Sequence, residues 1–199
     1  MKAGSQPLDA AQGQLLLKLA RGALLKEFGR EPDAPEDALR TSGLKEPWLN
    51  APGATFVTLT LKGKLRGCIG NLSSTDPLAE SIRRNAVHAA FHDPRFAPLA
   101  EKELDQIVIE VSVLTEPRPM PYASPEELRQ KLRPHLDGVI LRQAHASATF
   151  LPQVWEQLPD VGEFLSQLCL KANLSRDAWQ RSRLEVSTYQ VQRFEEPLR

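Results

Sequence analysis

Residues 54–71 read ATFVTLTLKGKLRGCIGN. Val57, Leu59 and Leu61 alternate with Phe56, Thr58 and Thr60, the period-two pattern of a half-buried strand. Lys62-Gly63-Lys64 then turns the chain back through a second segment that carries Arg66, Gly67, Cys68, Ile69 and Gly70. A three-residue turn pairs Leu61 with Leu65, Leu59 with Gly67 and Val57 with Ile69, which gathers the apolar side chains on one face. Arg66 and Cys68 then share the other face with Thr58 and Thr60. A two-residue turn would place the Arg66 charge among the leucines, at a cost of several kcal/mol (~3–5) unless it were paired. The three-residue register is therefore the expected one.

That register puts one of only two cysteines between two glycines and beside an arginine. Glycine lets a ligand or another backbone come close and permits dihedrals that a Cβ forbids. On one strand face the Cα atoms of Arg66 and Cys68 lie ~7 Å apart, near enough for the cation to favour a thiolate. Two readings of Cys68 fit these facts. It is a reactive thiol in an electropositive, approachable setting, or it is a small buried hydrophobe in a glycine-containing strand.

The pattern extends to the rest of the chain. Leu15, Leu19, Gly22 and Ala23 form one helical stripe and Leu17, Ala20, Leu24 and Phe28 another, predicting a buried helix from Leu8 to Phe28 stopped by Gly29. Prolines break the periodicity over residues 30–53, apart from a short helical turn at 36–40, so this segment reads as a wrapping loop. Asp76-Pro77 reads as an N-cap and first helical position for a helix bearing Leu78, Ile82, Ala86 and Ala89, which Asp93-Pro94-Arg95-Phe96 ends. Residues 106–114 alternate as a strong strand with Glu110 on its more polar face. A proline-rich connection over 115–125 leads to a helix over 126–132. Short strands over 139–141 and 148–151 flank a turn at Ala144-His145, and Pro152 starts a helical turn. Asp160 and Glu163 have capping-box spacing for a helix over 164–172, and residues 184–194 alternate as one closing strand.

At 199 residues the chain suits one folding unit, a single domain over 8–196 with two lobes and a flexible N-terminus over 1–7. Lys plus Arg and Asp plus Glu total 25 each, which disfavours bulk electrostatic binding of nucleic acid. The start of the chain lacks a signal-peptide pattern and no apolar run approaches the ~20 residues of a membrane span, so a cytoplasmic protein is expected. Two cysteines 101 positions apart indicate neither a disulfide framework nor a cysteine-rich zinc site.

Four motifs in order, Leu65-Arg66-Gly67-Cys68-Ile69-Gly70, Asp93-Pro94-Arg95-Phe96, residues 109–114 (IEVSVL) and residues 148–156 (ATFLPQVWE), resemble the AMMECR family. The similarity is greatest to its bacterial branch, the A protein of AmmeMemoRadiSam systems, and extends from about Leu15 to the end. It implies an α+β fold of antiparallel sheet with flanking helices. A larger lobe comes from the N- and C-terminal segments and a smaller one from the middle. It also implies Memo-like and radical S-adenosylmethionine proteins as partners, and it supplies no reaction. Asn173 stands where the resemblance leads one to expect a glycine, and asparagine is the next best left-handed helix cap. His145-Ala146-Ser147 lacks an expected basic residue.

Cys68 and Glu110 are thus the candidate catalytic residues, with Arg66, Gly67, Gly70 and Asn71 as substrate-binding residues. No metal or cofactor is expected. His88 and His92 have the i, i+4 spacing of a ligand pair but no companion carboxylate, and a helix-end role suits them better. Cys169 sits at core positions of its helix, and Ser73, Ser74 and Thr75 read as loop and cap. The functional expectation is a thiol-dependent enzyme or substrate-handling protein centred on Cys68. The alternative is a non-catalytic interaction module, with nucleic-acid binding third.

Overall fold

The computed structural model describes residues 7–31, 46–73 and 75–197. The helical turn expected at 36–40, Ser74 and most of the N-terminal segment expected to be flexible lie outside them. The chain forms two units, one from Met1–Leu114 with Gln192–Arg199 and one from Thr115–Val191. Each is built on a four-stranded antiparallel sheet, so the fold is α+β.

In the first unit the strand order is β2-β1-β3-β8, with β1 Ala54–Leu61, β2 Lys64–Gly70, β3 Ile107–Leu114 and β8 Val191–Glu195. Two long helices, α1 Ala10–Glu27 and α3 Leu78–Phe91, pack against one face, accompanied by the short helices α2 Pro47–Asn50 and α4 Glu101–Leu104. The apolar face anticipated for the hairpin is the core face: Val57, Leu59, Ile107, Ile109 and Val111 are fully buried beneath Leu16, Leu24, Ile82 and Ala86.

The ends of α1 are chemically explicit. Asp9 and Gln12 form a reciprocal capping box, and Gly29 at φ +66 with Arg30 N–H donating to the Leu25 carbonyl closes the helix in a Schellman motif. Helix α3 starts one residue later than expected. Pro77 is its N-cap and Asp76 makes an ion pair with Arg84 instead of capping. Arg21 is a partly buried tie within this unit. It pairs with Glu196, donates to the carbonyls of Leu104 at 2.7 Å and Ile107 at 2.9 Å, and so anchors α1 to β3 and the chain's end.

The second sheet has the order β4-β7-β5-β6, with β4 Arg118–Pro119, β5 Gly138–Gln143, β6 Ala146–Phe150 and β7 Glu185–Tyr189. The β5–β6 turn falls at Ala144-His145 as expected, with Ala144 at φ +52. Helix α5 spans Pro125–Lys131, capped by Ser124, and α6 spans Val161–Lys171, capped by Asp160. Helix α6 begins three residues before the expected position. Glu163 does not close a capping box there, because its carboxylate bonds Arg176 and Gln167. Asn173, at φ +58, makes the left-handed cap, with Leu174 N–H on the Cys169 carbonyl. The core holds Trp155, Phe164, Leu168 and the fully buried Cys169, together with Trp179 from the short helix α7 Ala178–Arg181.

The single closing strand expected over 184–194 is two strands. Gln190 interrupts it, exchanging backbone and hydroxyl hydrogen bonds with Thr115, so residues on either side join different sheets. Alternation records which face a side chain takes but not which neighbour its backbone finds, so the break leaves no trace in the pattern.

Candidate functional site

The hairpin turn has two residues, not three. Lys62 at φ +52 and Gly63 at φ +75 occupy the left-handed region, as a type I′ turn requires, and Leu61 pairs with Lys64. Thr60 then faces Leu65 while Leu59 faces Gly67, leaving Arg66 as the extra residue of a β-bulge. The bulge solves the problem that argued against the shorter turn. It absorbs the odd residue, so Gly67 and Ile69 still lie opposite Leu59 and Val57, and Cys68 lies opposite Thr58.

Cys68 is half-buried, and its sulfur accepts a hydrogen bond from the Thr58 hydroxyl at 3.4 Å. On the other side of Thr58, across the next strand pair, stands Glu110. Cys68, Thr58 and Glu110 therefore form a row across three strands, with Cα atoms of the outer two about 10 Å apart. Burial pushes the Glu110 carboxyl up from its ordinary value, against the opposing effects of Arg193 at 3.8 Å and a hydrogen bond from Ser112.

This shift has a testable sign. A carboxyl whose folded value is raised binds more protons when folded, so its contribution to stability is complete below the ordinary glutamate value and is lost as pH rises through the raised one. We expect Glu110→Gln to flatten the fall in urea midpoint above that ordinary value. A wild-type fall that persists unchanged in Glu110→Gln would show that another group causes it. Asp93, held well below the aspartate range chiefly by Arg95, acts in the opposite sense in a separate acid window, so the comparison isolates Glu110.

Arg66 does not stand beside the thiol as the charged partner expected of it. From the bulge its guanidinium forms a bidentate pair with Glu103, at 3.0 and 2.9 Å, and donates to the carbonyls of Ala97 and Pro98. The cation bonded to Cys68 is Arg95. Its Nη2 donates to the Cys68 carbonyl at 3.2 Å, and Asp93 accepts from the Cys68 N–H at 2.9 Å while binding Arg95 through Nε and Nη2. Arg95 is kept charged chiefly by the Asp93 bonds and also by the Cys68 side chain. The Asp93-Pro94-Arg95 loop thus satisfies the outward backbone groups of Cys68 on an edge strand, which would otherwise be open to pairing.

The remaining expected site residues are bound to the protein itself. A Cβ on Gly67 would lie 2.1 Å from the Ala89 carbonyl oxygen of α3, so this glycine admits a helix backbone. At Gly70 a Cβ would meet the Phe56 ring at 2.2 Å and the Thr55 carbonyl at 2.4 Å. Asn71 accepts from Asn85 Nδ2 at 3.1 Å and donates to the Ser73 carbonyl. Asn85 also reaches Thr55, whose hydroxyl meets Ser81 at 3.0 Å, making a buried polar network between β1 and α3. Sequence reasoning placed Thr58 on the face of Cys68 without giving it a role, and it missed Arg95 and the Asn85 network. Asp93-Pro94-Arg95-Phe96 stood out as a motif, but only as a turn.

His88 and His92 stack edge to face at the end of α3, with ring centroids 5.1 Å apart. Among the described residues no group of three or more His, Cys, Asp or Glu side chains could hold a metal ion. No helix among them is long and apolar enough to cross a membrane.

Three of the four motifs on which the resemblance rested meet at Cys68 and its row, and the AMMECR1 family model matches residues 17–194. The chain belongs to the AMMECR1 family. Archaeal relatives include a protein of Thermofilum pendens, 41% identical over 95% of this chain and 92% of its own length. A protein of Methanothermobacter thermautotrophicus is 37% identical over 96% and 97%. The crystal structure of an uncharacterised Pyrococcus horikoshii protein is similar at a TM-score of 0.77 and 34% identity, covering 94% of this AMMECR1 chain and 92% of that one.

Proposed function

We propose that this AMMECR1 protein is a thiol-dependent enzyme or substrate-handling protein in which the Cys68 sulfur is the reacting atom. The observation that carries this reading is the sulfur's setting: half-buried, accepting from Thr58, with the Arg95 cation adjacent and the Glu110 carboxyl in the same row. Arg95 takes the anion-orienting role first assigned to Arg66. Both guanidiniums pair with a carboxylate, but the Arg95 side chain is 54% exposed and that of Arg66 14%. Glu110, favoured in its protonated form by burial, carries the proton. Gly67, Gly70 and Asn71 support the strand instead of touching substrate. Membership of an AmmeMemoRadiSam system, with Memo-like and radical S-adenosylmethionine partners, belongs to the same proposal.

Thiol labelling tests it. With the protein folded, iodoacetamide is expected to modify Cys68, while Cys169, fully buried, reacts only after unfolding. Cys68→Ser keeps the fold and abolishes function in a cellular assay of its gene system, and Arg95→Gln weakens it with less effect on stability than loss of Asp93. Equal protection of both thiols in the native state, or full function in folded Cys68→Ser, refutes the thiol mechanism and favours the interaction module.

A further inference from the structure

A second feature of the first unit, independent of Cys68, lies where the hairpin tip meets α4. An open groove of about 510 Å³ is lined by Leu61, Lys62, Lys64, Leu65, Lys102 and Gln106, together with the paired Arg66 and Glu103. The three lysines are exposed, and the large apolar side chain of Leu65 is 44% open to solvent. Arg66 and Glu103 cancel each other through their bidentate pair, so the charge of the lining is that of the three lysines.

From this we infer that the groove is a docking surface for an acidic segment of a partner protein, one that sets carboxylates on Lys62, Lys64 and Lys102 and an apolar side chain on Leu65. Charge complementarity chooses the sign of the partner, and exposed leucine supplies the apolar centre that such a contact needs. The chemistry also argues against a nucleic acid. The groove has no aromatic lining on which bases could stack, and its one arginine fork is already closed on a carboxylate. Flexible ammonium groups suit carboxylates presented along a peptide, whose spacing they can follow.

The geometry of the tip supports rigid presentation. Lys62 and Gly63 hold the type I′ turn, the bulge at Arg66 ties the strand to the 97–103 segment, and Gln106 Nε2 donates to the Lys102 carbonyl at 2.7 Å. The backbone that carries the three lysines is thereby held in place, and their side chains stay exposed.

The test uses the full-length protein and a fluorescein-labelled decapeptide of alternating glutamate and leucine, read by anisotropy. Saturable binding that weakens with salt is expected. Reversal of Lys62, Lys64 and Lys102 to glutamate should reduce affinity about tenfold or more, and Leu65→Ser severalfold, while Lys18→Glu with Lys26→Glu on α1 leaves it within about twofold. Cys68→Ser should bind as wild type, which separates failure of this proposal from failure of the thiol reading. Circular dichroism checks that each variant is folded. Absence of saturable binding, equal loss in both sets of charge reversals, or tighter binding of an oligothymidylate at matched charge would overturn the proposal.

Discussion

Gly67→Ala is expected to lower the unfolding free energy by about 3 kcal/mol, and Gly67→Val to leave little folded protein. The methyl group would sit 2.1 Å from the Ala89 carbonyl oxygen and 3.0 Å from its carbon, and both are helix backbone that cannot rotate away. Relief requires α3 to lift from β2, which separates Ile82 and Ala86 from the strands they cover and strains the Asn85 network. The contrast is Gly22 in the interior of α1, where an added Cβ meets nothing within 4 Å. Gly22→Ala should stabilise by about 0.5–1 kcal/mol through helix propensity alone. Urea denaturation of the two variants decides it, and similar midpoints would refute the close-approach account.

The second large effect is expected at Trp155. Its ring is fully buried, stacks on Phe164 with centroids 3.6 Å apart, and its Nε1–H donates to the Asp137 carbonyl at 2.7 Å. Trp155→Ala removes that area, leaves a cavity beside Phe164 and strands a buried carbonyl, for a loss of about 4 kcal/mol. Trp155→Phe keeps most of the stacking area and loses the donor, so it should cost about 1–2 kcal/mol. Chemical denaturation followed by near-ultraviolet circular dichroism measures both. An alanine variant no less stable than the phenylalanine variant would show that the stack contributes little.

The two positions differ in how visible they are from the sequence. Trp155 lies in a segment singled out by its resemblance, and large aromatic residues are core candidates wherever they occur. Gly67 was also conspicuous, but a glycine in a strand marks close approach without naming what approaches. Its partner is a carbonyl 22 positions away on a helix, and nothing local distinguishes that visitor from a substrate. Asn71 and Gly70 follow the same logic: each was assigned to a ligand because the residue type permits one, and each is occupied by neighbouring protein atoms.

Arg66 shows how a correct local argument reaches a wrong pairing. The penalty for burying its charge among leucines was real, and the structure avoids it with a bulge in place of a longer turn. Both solutions give Cys68 the same neighbour, Thr58, yet only the three-residue turn would leave Arg66 on the face of the thiol. One inserted residue changed which arginine stands beside the sulfur.

What the sequence by itself determined is what short-range physics controls. The period of two in β1 and β3, the double apolar stripe of α1, and the glycine and asparagine caps at Gly29 and Asn173 depend on neighbours a few residues apart, and they appear as read. Hydrophobic burial and backbone sterics act on these spacings directly. Tertiary structure alone decided the bulge at Arg66, the break at Gln190, the fit of α3 against Gly67, and the pairing of Cys68 with Asp93 and Arg95. Each joins groups distant along the chain, and each satisfies a backbone donor or acceptor or fills a space that exists only once the sheet has formed.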